Sequence, residues 1–178
     1  MIEFLGETCE EQLVHAKEIV ARYRYDELTT LKRRFDFNDD FKKMVHSRIH
    51  DGIDFTFALI DINNLKTTND KYGYLAGDKL IKDVAKNLKD TFQGQATVYR
   101  IGGDEFAILC DTLNRKEIKK MLKEADTAEK YCFGIVDSNE FDWNGTNCRD
   151  VFNFANNILM DVKVEKNINL KRNSEKNY

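Results

Sequence analysis

Proline is absent from the 178-residue chain. No Gly/Ser-rich stretch interrupts it either, so composition marks no internal domain boundary, and no solenoid-type repeat is visible. Disulfide chemistry is poorly supported: Cys9, Cys110, Cys132 and Cys148 lie far apart with no Cys-x-x-Cys pair. They read as small buried thiols in a reducing compartment. His15, His46 and His50 form no zinc-ligand set with them. No apolar run approaches the ~18–20 residues of a membrane span, and the first residues lack the basic-then-apolar pattern of a signal peptide. The expectation is a soluble cytoplasmic chain with no membrane segment, an origin as a fragment of something anchored being left open. The net charge of −3 gives no general attraction to polyanions and disfavours a nucleic-acid-coating role. A nucleotide site would have to be built locally, from a metal, backbone amides or a few lysines.

What is present is an ordinary globular balance, 42% hydrophobic and 33% charged, at one domain's length. Thr8 and Glu11 have capping-box spacing, followed by Leu13, Ala16, Val20 and Tyr23 at helical steps. That narrow stripe either packs on the domain's own body or forms a short helical dimer contact. A second helix is expected after Asn38, with Phe41, Met44, Val45, Arg48 and Ile49 on one face. Ile53 to Ile60 reads as a central strand, and helical spacing returns from Leu75 to Leu88. Two strands, Thr97–Ile101 and Glu105–Leu109, flank Gly102-Gly103 in hairpin fashion. A helix over about Arg115–Ala125, a strand over about Tyr131–Val136 and a helix over about Arg149–Lys163 follow, with Val151, Ala155, Ile158, Leu159 and Val162 facing the core. From Glu165 onward the chain reads as a polar, partly disordered tail. Helices covering an antiparallel or mixed sheet define the α+β class, which by itself names no function.

Two acidic spots stand out. Asp61 closes the first strand, and Asp104-Glu105 follows the glycine pair. If that strand lies beside the hairpin, Asp61 and Asp104 converge at one sheet edge. Carboxylates about 3–5 Å apart repel unless a cation lies between them, which points to Mg²⁺ or Mn²⁺ and to phosphoryl or nucleotidyl transfer. Gly102 and Gly103 would let the hairpin turn tightly and let a phosphate approach the backbone. An aspartate in a turn is also ordinary turn chemistry, and spacing alone leaves both readings open.

The motifs decide more. Arg100-Ile101-Gly102-Gly103-Asp104-Glu105-Phe106 reproduces R-x-GGDEF. Asp61 to Asp78 resembles the D-x-D-x-F-K-x-x-N-D-x-x-G-H-x-x-G-D block of the same family, and Asp26 to Arg34 resembles its opening motif D-x-L-T-G-L-x-N-R. Ala155-Asn156 and Val162-Lys163 weakly echo A-D-x-A-L-Y-x-A-K. Over roughly Asp26 to Asn167 the chain thus resembles the GGDEF family of diguanylate cyclases. The resemblance implies a palm-type, nucleotidyl-cyclase-like sheet, mostly antiparallel and covered by helices. It divides the chain into an N-terminal helix (1–25), the GGDEF domain (26–170) and a polar tail (171–178).

It also implies roles. Asp61, Asp104 and the carbonyl of Ile62 would hold the metal ions. Asp104 would accept the proton of the attacking 3′-hydroxyl, with Glu105 supporting the metal site. Lys66 would offset charge on the phosphates, and Lys163 would contact them. Asn69 and Asp78 would read guanine, whose N1–H and amine offer adjacent donors, with Tyr74 nearby and Gly102 and Gly103 against the nucleotide. The implied partners are GTP and a second copy of the chain. Several positions depart from the pattern. Leu65 replaces phenylalanine, Asn63 a secondary carboxylate, Tyr74 a histidine, Asn156 an aspartate and Asn167 a phosphate-binding arginine. Thr30 and Arg33 stand for the Gly and Asn of the opening motif, a change expected to alter that loop. Gln93 and Ala96 occupy the positions of the R-x-x-D product-inhibition site, so none is expected. The reading that follows is a diguanylate cyclase. A silent GTP- or protein-binding GGDEF domain is the first rival, and a palm-fold transferase with another product is the second.

Overall fold

The computed structural model describes residue 8, residues 11–15, residue 20 and residues 24–175, with side chains described through residue 166. Residues 11–15 are helical, and Thr8 and Glu11 exchange bonds: Thr8 N–H donates to Glu11 Oε2 at 2.7 Å and Glu11 N–H to Thr8 Oγ1 at 3.3 Å. Leu13 and Val20 are about half exposed, so these members of the stripe are not packed on the domain's body. Ala16 and Tyr23 lie outside the described residues.

In chain order the elements are β1 (Lys32–Arg33), α1 (Arg34–Asp51), β2 (Thr56–Ile62), α2 (Leu65–Tyr72), α3 (Tyr74–Thr91), β3 (Thr97–Arg100), β4 (Glu105–Cys110), α4 (Arg115–Ala125), β5 (Tyr131–Asp137) and α5 (Cys148–Glu175). The strands form one sheet in the order β1-β3-β4-β2-β5, with β1 parallel to β3 and every other pair antiparallel. This is the expected α+β palm-type sheet under helices.

Every residue of β2 is buried. It lies between two partners and under helices on both faces, which is why its sequence is a nearly continuous apolar run rather than an alternating one. The pleat sorts its side chains. Ala58, Ile60 and Ile62 join Phe106 and Ile108 of β4 beneath α3 and α4, where Ile81, Val84, Leu88, Ile118 and Leu122 pack. Phe57 and Leu59 join Ala107 and Leu109 beneath α1 and α5, against Phe37, Phe41, Val151, Ala155 and Leu159. Phe37 anchors this second layer, its ring 5.3 Å from that of Phe41 and 5.7 Å from that of Phe57. Full burial of such a ring contributes about 1.5–3 kcal/mol.

Local signals explain several boundaries. Asn114 and Glu117 form a complete capping box at α4. Asn147 Oδ1 accepts from Arg149 N–H at 2.9 Å to start α5. Other boundaries differ from the sequence reading. α1 begins at Arg34 rather than after Asn38, which brings Phe37 into the core and leaves Ile49 45% exposed. The backbone of α5 stays helical to Glu175, through the stretch expected to be a tail.

α5 approaches β5 unusually closely. A Cβ placed on Gly134 would meet Ala155 O at 2.2 Å and Leu159 N at 2.8 Å, both backbone atoms that cannot swing aside. Gly134→Ala is therefore expected to destabilise the domain by about 2–3 kcal/mol in urea denaturation. A loss under about 0.5 kcal/mol would show that α5 can slide without cost.

Candidate active site

Asp61 and Glu105 are register partners across β2 and β4, so their side chains leave the same face of the sheet, the α1–α5 face. Like charges directly opposite each other destabilise a strand pair. Here each carboxylate meets a cation from a different covering helix. Lys163 Nζ of α5 lies 2.7 Å from Asp61 Oδ1, and Arg34 of α1 lies 3.5 Å from Glu105 Oε2. Asp104 sits in the turn before β4, its carbonyl accepting from Ile62 N–H at 3.0 Å. That bond fixes the turn beside the end of β2. Burial pushes the Asp61 carboxyl above the usual carboxylate range; Lys163 works against this and the nearby Asp104 charge adds to it.

The turn is organised by arginines. Arg100 donates to Asp26 Oδ1 and to Gly103 O, both at 2.8 Å. Arg34 Nε donates to Ile101 O at 2.6 Å. Asp26 Oδ1 also accepts from Thr29 N–H and Oγ1. The first motif and the GGDEF turn are thereby one bonded unit. Neither Gly102 nor Gly103 has a left-handed φ, so the tight-turn argument for them is corrected. Gly102 instead leaves room for Glu105: a Cβ there would lie 2.4 Å from Glu105 Oε2 in its present rotamer, whereas a Cβ on Gly103 would meet open space. Thr30 does hold a left-handed φ of 61°. The loop keeps a backbone that suits glycine despite the substitution.

The guanine candidates Asn69 and Asp78 are carried by α2 and α3. Gly77 admits the Asn69 side chain: a Cβ on Gly77 would fall 1.8 Å from Asn69 Oδ1. Asn69 Oδ1 is buried with no hydrogen-bond partner among the described residues. Asp78 follows Gly77 and is half-buried. Lys66 is exposed, and Tyr74 is 81% exposed. Asn156 is partly buried on α5, and the Asn167 side chain lies outside the described residues. Two residues of the site were not singled out from the sequence: Arg34, signalled only as the last letter of the opening motif, and Lys166. The latter lines a cavity of about 170 Å³ with Asp61, Asn63, Cys132 and Lys163.

The donors suit a hard cation. Asp61, Asp104 and a backbone carbonyl all offer oxygen donors, and a positive ion would offset the burial and the weaker Asp104 repulsion that raise Asp61. Among the described residues no three His, Cys, Asp or Glu side chains converge as a full metal cage.

Asp61 at the end of the buried central strand and Glu105 after the glycine turn thus share one face of a mostly antiparallel sheet under helices. Residues 23–138 match the diguanylate cyclase, GGDEF domain family, and the chain belongs to it. It is 30% identical over 113 residues to the bifunctional diguanylate cyclase/cyclic di-GMP phosphodiesterase MucR of Pseudomonas aeruginosa, covering 59% of this chain and 16% of MucR. It is 35% identical over 85 residues to the diguanylate cyclase VdcA of Vibrio cholerae, covering 48% of this chain and 24% of VdcA. The chain thus spans less than a quarter of either relative's length. Its fold matches the coiled coil and GGDEF domain of DgcB from Caulobacter crescentus, solved with c-di-GMP, at a TM-score of 0.80 and 20% identity over 88% of both chains. The FimX GGDEF domain of P. aeruginosa matches at 0.72 and 20% identity, over 80% of this chain and 94% of that one. Among the described residues no helix is long and apolar enough to cross a membrane.

The raised pKa of Asp61 carries a stability consequence. A carboxyl whose folded-state pKa lies above its unfolded value favours the fold most when protonated, and that contribution is lost as pH rises through the folded-state pKa. In chelator, Asp61→Asn is expected to match or exceed wild type in thermal midpoint at pH 7, with the two converging in acid. A variant less stable by more than about 1 kcal/mol at pH 7 would show that the Lys163 pair outweighs the burial cost.

Proposed function

We propose that the chain is the catalytic unit of a diguanylate cyclase, condensing two GTP into cyclic di-GMP and two pyrophosphates across a homodimer. The observation that carries this reading is the register of Asp61 opposite Glu105, with Asp104 clamped beside them by the Ile62–Asp104 bond. Asp61, Asp104 and the Ile62 carbonyl would hold Mg²⁺ or Mn²⁺ ions, which supply charge stabilisation at phosphoryl oxygens when bound.

The remaining work falls to the chain's own groups. Asp104 accepts the proton of the 3′-hydroxyl, whose oxygen bonds to the α-phosphorus of the GTP held by the facing subunit as pyrophosphate leaves. Glu105, oriented by Arg34, backs the acidic pair. Lys66 and Lys163 lie against the phosphates and offset charge that builds on them. Asn69 and Asp78 bind the guanine edge, where a carboxylate accepts from two adjacent donors and an adenine would present an acceptor instead. Exposed Tyr74 borders that subsite. Gly102 and Gly103 leave the turn free of side chains where the nucleotide approaches. One subunit holds half of the reacting groups, so self-association controls turnover.

A second reading is favoured by the Lys163–Asp61 pair: a silent domain in which the lysine stays on the carboxylate and the module binds GTP or a protein without turnover. Incubation with GTP and Mg²⁺ or Mn²⁺, read by mass for cyclic di-GMP, separates the two. The cyclase reading expects product from wild type. It expects at least a hundredfold loss in Asp104→Ala, on the scale of a lost transition-state contact, with the thermal midpoint unchanged. Substantial activity in Asp104→Ala would remove that residue from the mechanism.

Gln93 and Ala96 border a cavity of about 490 Å³, and neither side chain is charged. Without the bidentate arginine and the base-reading carboxylate, product affinity at this surface is expected to be roughly a thousandfold weaker than for such a pair. Calorimetric titration of nucleotide-free protein checks it. Low-micromolar cyclic di-GMP binding that vanishes on mutating Gln93 would contradict the expectation.

A further inference from the structure

The cavity beside Asp61 holds more positive charge than the reading above uses. Lys166 follows Lys163 by three residues on α5, a spacing that puts both side chains on one helix face. The two are about equally enclosed, with 26% of the Lys166 side chain exposed and 28% of that of Lys163. Lys166 Nζ lies 2.8 Å from Glu129 Oε2 and donates to Glu129 O at 3.3 Å.

The two halves of that partner differ in firmness. The backbone around Glu129 is fixed: Asn63 Nδ2 donates to Glu129 O at 2.8 Å and Asn63 N–H to Lys130 O at 2.7 Å. Asp126 accepts from the N–H groups of Lys130 and Tyr131. The Glu129 carboxylate, by contrast, is 76% exposed, and an exposed ion pair holds its partner only weakly. A rigid carbonyl therefore keeps Lys166 at the cavity wall, while its charge is balanced by a group that a stronger anion can displace.

We propose that Lys166 is a second phosphate-binding lysine, acting with Lys163 on the polyphosphate tail of a nucleoside triphosphate, and that Glu129 is its resting counter-ion. The inference rests on the GTP-site reading and adds a residue to it. An ammonium group with three rotatable donors suits phosphate oxygens, whose positions shift between bound states. Lys163 is already engaged with Asp61 at 2.7 Å. Lys166, whose competing carboxylate is exposed, is the readier of the two.

The test is calorimetric binding of a non-hydrolysable GTP analogue and of GMP, both with Mg²⁺, to the wild-type 178-residue chain and its variants. Lys166→Ala is expected to weaken the triphosphate roughly tenfold and GMP by less than about twofold. Lys166→Arg should restore most of the loss. Glu129→Gln should tighten the triphosphate about twofold, because it removes a competitor. Lys86→Ala, an exposed lysine on α3, controls for net charge and should change neither. Triphosphate binding that Lys166→Ala leaves within about twofold, or an equal loss for GMP, would overturn the assignment and leave the GTP reading standing. Weaker binding in Glu129→Gln would mark the pair as a structural strut and overturn it too. Failure of wild type to bind the analogue at all would overturn both readings together.

Discussion

The site depends on the twofold period of one buried strand. β2 is covered on both faces, so every residue must belong to one core or the other, and a slip of one residue would exchange them all. Phe57 and Leu59 commit their face to α1 and α5. Asp61 continues that face at the strand's end and is delivered to the same side as Glu105, under the helices that carry Lys163 and Arg34. The apolar core thus fixes the face of the sheet from which Asp61 and Glu105 leave. The polar contacts then supply their counter-ions.

That charge is held at a cost. Asp61 is nearly buried and faces another acid, two circumstances that favour its neutral form, and one lysine only partly offsets them. A carboxyl under such tension is what a cation-binding site requires, because a pair already satisfied by protein groups would gain little from a metal ion. Lys163 is the minimal counter-ion. It is close enough to work against the burial that raises the Asp61 carboxyl, yet it is carried on a flexible stem that can leave.

How much of this was legible in the sequence varied with the kind of physics involved. Long elements with apolar faces were plain, and α4 was legible to the residue because Asn114 and Glu117 mark its start. α2 was not visible. None of its eight residues is buried, so it has no apolar stripe to read, and Asn64 opens it from a left-handed conformation rather than as a side-chain cap. The two-residue β1 was too short for any pattern, and its pairing with β3 is a tertiary fact. The start of α1 was misplaced because Arg33 gives no capping bond and the acidic Asp36 is buried, paired 2.8 Å from Arg24. The acids of the site were legible as motif letters. Their counter-ions were harder: Arg34 is one basic residue in a run of three, and Lys166 is one lysine in a polar segment.

The glycines and Arg100 show why a motif can be readable while its physical reason is not. The sequence suggests glycines chosen for turn geometry, but neither adopts a conformation that demands glycine. Gly102 makes room for the Glu105 carboxylate, and Gly103 offers its carbonyl to Arg100. Arg100 in turn donates from its other terminal nitrogen to Asp26, the first letter of a motif some seventy residues earlier, while Asp26 also turns the Thr29–Thr30 loop. Desolvation works against ionised Asp26, yet its bonds to Arg100 and Thr29 prevail and hold its carboxyl below the usual range. The clip therefore stays charged at neutral pH. Its strength explains how the loop tolerates a threonine at φ 61°, a strained value for a β-branched residue: the conformation is set by bonds on either side of Thr30, and the side chain accepts it. The two motifs are separate in sequence because one carries the acids and the other carries the brace that keeps their turn in place.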